Sequence, residues 1–154
     1  TKKKRIKVEP IPNIIVNPEA AAFLAERQPY EVSSLSPHLV TAFDRFTLVN
    51  YGKTERLTID CNLRFDNLRS GTTASMGRLV VMELKQDGKA KSLLKDVLFD
   101  LRIHPFKVSK YCIGTCMTRP EVKQNQFKSK LRKIEKLKSV ETHYSASLPN
   151  DKLN

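Results

Sequence analysis

Glu55-Arg56-Leu57-Thr58-Ile59-Asp60-Cys61-Asn62-Leu63-Arg64-Phe65 changes character at almost every residue. Successive side chains of a strand point to opposite faces, so this period of two puts Leu57, Ile59, Cys61, Leu63 and Phe65 on one side and Arg56, Thr58, Asp60, Asn62 and Arg64 on the other. The run from Leu39 to Tyr51 has the same period, and Gly52-Lys53 lies between the two runs, which predicts antiparallel strands joined by a tight turn. A loop is expected from Asp66 to Ser75, around Gly71. It leads to a third strand from Arg78 to Lys85, with Val80, Met82 and Leu84 opposed to Val81, Glu83 and Lys85.

Outside this hairpin, Thr1-Lys2-Lys3-Lys4-Arg5-Ile6-Lys7-Val8 also reads as a strand, with Lys3, Arg5 and Lys7 on its basic face. Asn17-Pro18-Glu19 has the form of a helix cap, a first-turn proline and a first-turn acid, so a short helix is expected through Ala20 to Arg27, stopped by Pro29. Beyond the polar break Gln86-Asp87-Gly88-Lys89, Leu93, Leu94, Val97, Leu98 and Leu101 recur at helical spacing and predict an amphipathic helix closed before Pro105. A second helix is expected from Ser109 to about Thr118. A third follows between Pro120 and Leu137, burying Phe127, Leu131, Ile134 and Leu137 and leaving Lys128, Lys130, Arg132, Lys133, Lys136 and Lys138 in water. Residues 1–138 are read as the folded portion and 139–154 as a polar tail that frays. The fold class is α+β.

The chain has 154 residues, 40% of them hydrophobic, which suits one domain, or a large piece of one, with a real core. Its 28 Lys and Arg against 16 Asp and Glu leave a net charge of +12, which favours a polyanionic partner: nucleic acid, a phosphate-rich metabolite or an anionic membrane. No apolar run approaches the roughly 20 residues that cross a bilayer, and the basic start has no apolar run behind it, so neither a membrane span nor a secretory signal is read. Cys61, Cys112 and Cys116 form no zinc pattern and read as small buried thiols of a reducing, cytoplasmic setting. His38, His104 and His143 are scattered and suggest no catalytic partner.

A strand face that carries arginines and a carboxylate must look into water or into a polar cavity. If the strands curl, Arg5, Arg45, Arg56, Glu83 and Lys85 converge on one lumen and the apolar faces look outward beneath covering helices, an inside-out barrel suited to phosphate. Guanidinium forks match phosphoryl oxygens, Lys adds a mobile point charge, and a carboxylate in so cationic a place is best explained as the ligand of Mg²⁺ or Mn²⁺. The same alternation also suits ordinary exposed pairs, Arg56 with Asp60 and Glu83 with Lys85. Lys107 and Lys110 stand at the entry to a helix that Ser109 can cap, where free amides also attract anions.

Three ordered strings carry a resemblance: Glu55-Arg56-Leu57-Thr58-Ile59-Asp60, Val80-Val81-Met82-Glu83-Leu84-Lys85 and Ser109-Lys110-Tyr111-Cys112-Ile113-Gly114. In order and spacing they resemble the second half of the VTC domain of polyphosphate polymerases, within the triphosphate tunnel metalloenzyme (CYTH-like) superfamily, over Lys2 to about Leu137. The resemblance implies an antiparallel β tunnel flanked by helices, of which this chain supplies the C-terminal half, completed by an upstream half or by another copy. It implies that Arg45 and Arg56 contact phosphates, that Glu83 holds a divalent ion and that Lys107 and Lys110 grip the phosphate chain. Arg5 matches a basic strand of the family, and Lys85 follows from face parity. The implied reaction is phosphoryl transfer from a nucleoside triphosphate onto polyphosphate, or triphosphate hydrolysis, for which positioning and charge neutralisation suffice.

Two other readings stand beside it. A non-catalytic polyphosphate-binding module keeps the cations and has no use for Glu83. A nucleic-acid-binding protein fits the net charge of +12, but seven Phe and four Tyr with no Trp, none paired on a strand face near the arginines, make a poor platform for stacked bases.

Overall fold

Strand β2 (Glu55–Asn67) is the spine of the molecule. In the computed structural model, which describes residues 4–7, 17–88 and 91–146, each of the other strands pairs with it. β1 (Leu39–Val49) runs antiparallel along one edge. The other edge is shared: β3 (Thr73–Ser75) pairs with Arg64 to Asp66, and β4 (Val81–Gln86) pairs with Glu55 to Asp60. The sheet is open, so the expected closed tunnel is not formed among the described residues.

The hairpin between β1 and β2 closes on Asn50, whose side chain accepts from the Glu55 amide and donates to the Thr54 hydroxyl, both at 2.9 Å. The left-handed residue in this turn is Lys53, with φ 55°, and not Gly52. The loop expected over Asp66 to Ser75 is shorter than that. β2 continues to Asn67, whose side-chain oxygen accepts from the amides of Arg69 and Ser70 and so folds the chain back into β3. Residues 4–7 form no strand and are exposed, Arg5 among them; Thr1–Lys3 and Val8 lie outside the described residues.

One residue redirects the sheet. Ala42 pairs with Arg64, but two positions on Asp44 pairs with Cys61, so β2 carries one residue more than β1. The extra step falls at Asn62, in the left-handed region at φ 52°, and its amide donates to Asp44 Oδ2 at 2.7 Å. Asn tolerates this conformation better than most residues, and an inserted residue shifts the parity of everything beyond it. Leu63, Phe65 and Asn67 therefore share a face with Thr58 and Asp60, while Leu57, Ile59 and Cys61 face the other way. The single apolar side expected from Leu57 to Phe65 is divided in two.

The core forms on the Leu63 and Phe65 side. These two pack with Met76, Ile113 and Ile134, all buried, and burial of each large side chain contributes about 2 kcal/mol. Helix α3 (Lys110–Thr118), capped by Ser109, lies directly on the strands. Its closeness depends on Gly114, where a Cβ would collide with the Phe65 ring and come within 2.8 Å of the Leu39 side chain. Thr118 donates to the Gly114 carbonyl at 2.8 Å and accepts from the Asn67 amide at 3.4 Å, which ties the end of the helix to the sheet.

Two of the remaining helices lie near their predicted places, whereas the last begins eight residues after Pro120 and continues beyond Leu137 into the segment expected to fray. α1 (Pro18–Ala25) is capped by Asn17, which accepts from the Ala20 amide at 3.0 Å. α2 (Leu93–Asp100) is capped by Ser92, but Leu93, Val97, Phe99 and Leu101 are exposed, so its apolar side is not buried among the described residues. α4 (Lys128–Ala146) runs past Ser139, buries Ile134 and partly buries Leu131 against the core beside Phe127, while Leu137 stays half-exposed. Ile113 of α3 and Ile134 of α4 join the core on the Phe65 side, and not behind the opposite face. There the cross-strand rows Phe46, Ile59, Met82 and Leu48, Leu57, Leu84 are apolar, with Phe46 61% and Leu48 58% exposed. α3 and α4, expected over the apolar face, are thus found on the other side of the sheet.

Candidate functional site

The Asp60 face is dry beyond the bulge and polar before it. In register, β1, β2 and β4 set Arg45, Asp60 and Val81 in one row, Thr47, Thr58 and Glu83 in the next, and Val49, Arg56 and Lys85 in the last. Cross-strand neighbours share a face, so Arg45, Arg56, Glu83 and Lys85 lie on one face of the open sheet; an enclosed lumen is not formed among the described residues, and Arg5 is on no strand.

Asp60 is the centre of this surface. It is fully buried, and its carboxylate accepts from Arg45 Nε at 2.5 Å and Nη2 at 2.7 Å, while Lys110 Nζ reaches Oδ2 at 2.5 Å. The fork from Arg45 and the ammonium of Lys110 hold its pKa down to about 2, against the opposing effect of burial. In return, the bond to Asp60 raises the already high pKa of Arg45. Both cations also lie 4.9 Å from the centre of the Phe43 ring, which they approach from two different elements. Lys110 opens α3, where the helix dipole disfavours a positive charge; Asp60 offsets that cost.

The pairs differ from those expected. Asp60 binds Arg45 and Lys110, not Arg56, and the triad was legible only as a carboxylate on the arginine face. Glu83 does pair with Lys85, at 3.2 Å with both side chains half-exposed. Arg56 stands directly across from Lys85 and joins no ion pair among the described residues. Four cations, Arg45, Arg56, Lys85 and Lys110, thus face two carboxylates, Asp60 and Glu83, leaving two positive charges in excess. Thr58, between Thr47 and Glu83, is buried with a hydroxyl that finds no partner among the described residues. Lys107 is exposed on the segment before α3 and joins neither ion pair, and Arg5 is exposed on residues 4–7.

A family model for the VTC domain matches residues 16–119, more than half of the chain. The chain belongs to the VTC domain family. Comparison with curated proteins and with solved structures gives no match. The matched VTC segment contains α1, the whole sheet and α3, and with them Arg45, Arg56, Asp60, Glu83, Lys85, Lys107 and Lys110. It leaves out Arg5 and α4.

The other polar features offer less. Among the described residues no three His, Cys, Asp or Glu side chains gather into a metal cage, and no helix is long and apolar enough to cross a membrane. Cys61, Cys112 and Cys116 are free thiols, and burial pushes the Cys116 thiol up, away from reactivity.

Proposed function

We propose that this VTC domain binds polyphosphate or the triphosphate of a nucleotide along the Arg45, Arg56 and Lys85 face, and takes part in metal-assisted phosphoryl transfer to or from that chain. What supports the reading is the register that sets Arg45, Arg56, Lys85, Asp60 and Glu83 on one open face, to which α3 adds Lys110. A row of phosphates satisfies such a surface because each offers several acceptor oxygens to forked and mobile donors. Arg56 and Lys85, like charges directly opposed across two strands, gain from an anion placed between them.

A divalent ion fits this donor set in one way. Glu83 is a single carboxylate, too few for an all-protein cage, yet Mg²⁺ and Mn²⁺ in phosphoryl-transfer sites are commonly held by one or two carboxylates together with phosphate oxygens and water. Glu83 would be the protein ligand, exchanging its contact with Lys85. Such an ion supplies neutralisation of phosphate charge. Arg45 and Lys110 orient the chain, Arg56 and Lys85 follow it along the strands, and Lys107 meets it at the entry to α3. In this reading the free edges of β1 and β4 accept the strands of an upstream half of the domain, from the same protein or another copy, and so close the tunnel.

The test is the full chain, in its native protein, incubated with ATP and Mn²⁺ or Mg²⁺ while long phosphate polymer and free phosphate are both measured. Glu83→Gln is expected to lower metal-dependent turnover by about a hundredfold with little loss of polyphosphate affinity. Unchanged turnover in the variant removes the metal role of Glu83. Tight polyphosphate binding by a wild-type protein that turns nothing over favours the binding-module reading.

A further inference from the structure

We propose that Asp60 is a positioning residue of the anion-binding face: it locks Arg45 of β1 and Lys110 of α3 into one fixed pair of cations, and does not merely neutralise them. The inference rests on the phosphate-chain reading above and adds a residue to it.

The geometry separates the two roles. A neutralising anion would sit where a ligand competes with it, whereas the Asp60 carboxylate is fully buried beneath the cations and both its oxygens are occupied from inside the fold. It engages Arg45 through Nε and Nη2, which fixes the plane of the guanidinium and leaves the Nη1 edge to meet a ligand. Lys110 spends one of its three donors on Oδ2 and keeps the others. Arg45 remains 41% and Lys110 22% exposed, so the pair is anchored at its base and open at its tips. The face of the Phe43 ring, 4.9 Å from each, attracts both cations and adds a second contact to each besides Asp60. Without Asp60, two like charges on separate elements would repel, and a ligand would have to order both side chains on arrival.

The two roles predict opposite signs, which makes the test sharp. Asp60→Asn removes one negative charge from the face. If Asp60 were only a counter-charge, tripolyphosphate would bind more tightly. If it positions the cations, binding weakens although the face has become more positive.

The measurement is calorimetric titration of the full chain with inorganic tripolyphosphate at several salt concentrations, for the wild type, Asp60→Asn and Arg56→Ala, with circular dichroism to establish the folded fraction. Asp60→Asn is expected to bind about tenfold more weakly, and its affinity to fall less steeply with salt because fewer fixed charges meet the ligand. Adding Lys110→Met to Asp60→Asn is expected to cost little more, because Asp60 acts partly through Lys110. A purely structural role would move neither the salt slope nor this coupling. Affinity of Asp60→Asn equal to or tighter than wild type overturns the proposal. If that variant does not fold, Asp60→Glu keeps the charge and displaces the carboxylate: weaker binding supports positioning, and wild-type affinity overturns it. A wild-type chain that ignores tripolyphosphate at low salt overturns the phosphate-chain reading and this proposal together. Weakening by Arg56→Ala but not by Asp60→Asn overturns this proposal alone.

Discussion

The two halves of the Asp60 face belong to the same strands and do opposite things. Beyond Asn62, Leu63 and Phe65 are fully buried under α3, and Gly114 lets the helix come close enough to exclude everything else. Before Asn62, Arg56 and Lys85 are exposed, and buried Asp60 pairs with Arg45 and Lys110, which reach the surface. The difference comes from one inserted residue. With strict alternation Asp60 and Phe65, five positions apart, would face opposite ways; the bulge puts them on the same face, so that a single helix can seal the core with Ile113 and present Lys110 to the charged half. Stability and charge are divided along one face, not between two.

The largest way to break this division is to fill the dry half. Gly114→Val forces a branched side chain into Phe65 and Leu39, and is expected to cost about 3 kcal/mol, read as a lower urea midpoint, and to lift Lys110 away from Asp60 as the helix moves.

Acid attacks the boundary. Asp60 has its pKa lowered from 3.8 to about 2 by Arg45 and Lys110, so its contribution is complete above pH 3.8 and is lost as the pH falls through about 2. That contribution is about 2 kcal/mol. Between pH 4 and 2, about the range set by those two values, the wild type should lose this stability while Asp60→Asn, already without it, changes less over the same interval. Equal acid sensitivity of the two proteins would mean that other carboxylates govern the response.

The smallest and most specific change is at the bulge itself. Asn62→Val places a β-branched residue at φ 52° and removes the bond to Asp44, with an expected loss of about 1.5 kcal/mol. Asn62→Gly loses the same exposed bond but keeps the left-handed conformation without strain, and should lose only about 0.5 kcal/mol. If the two variants are equally stable, the positive φ is not what holds the register.

Much of this was open to sequence reading, and the omissions have physical causes. The hairpin, the strand that appears as β4 and the helix starts at Asn17 and Ser109 follow local rules, alternation and capping, that depend on near neighbours, whereas the short β3 lies where a loop is expected. Alternation alone puts Arg45, Arg56, Glu83 and Lys85 on one face, as the register does, because each lies before the bulge or on a strand that lacks one. Alternation puts Leu63 and Phe65 on the Leu57 face, whereas they lie on the Asp60 face, because alternation counts residues and only pairing with β1 reveals that one is inserted. Asn in the middle of an otherwise regular strand was the available sign. The triad at Asp60 needs Lys110, fifty residues away, and no local pattern brings those two together. The openness of the sheet lies beyond residue patterns altogether, because alternation defines faces and says nothing of edges.

Gly114 carries a warning for anyone scanning every substitution by a growth or activity screen. It lies in the dry half, under the helix, yet its replacement would displace Lys110 as surely as a change to Lys110 itself. Such a screen would score this glycine among the ligand contacts. Only a parallel measurement of protein abundance would return it to its true category, that of a spacer whose missing methyl group sets the distance between helix and sheet.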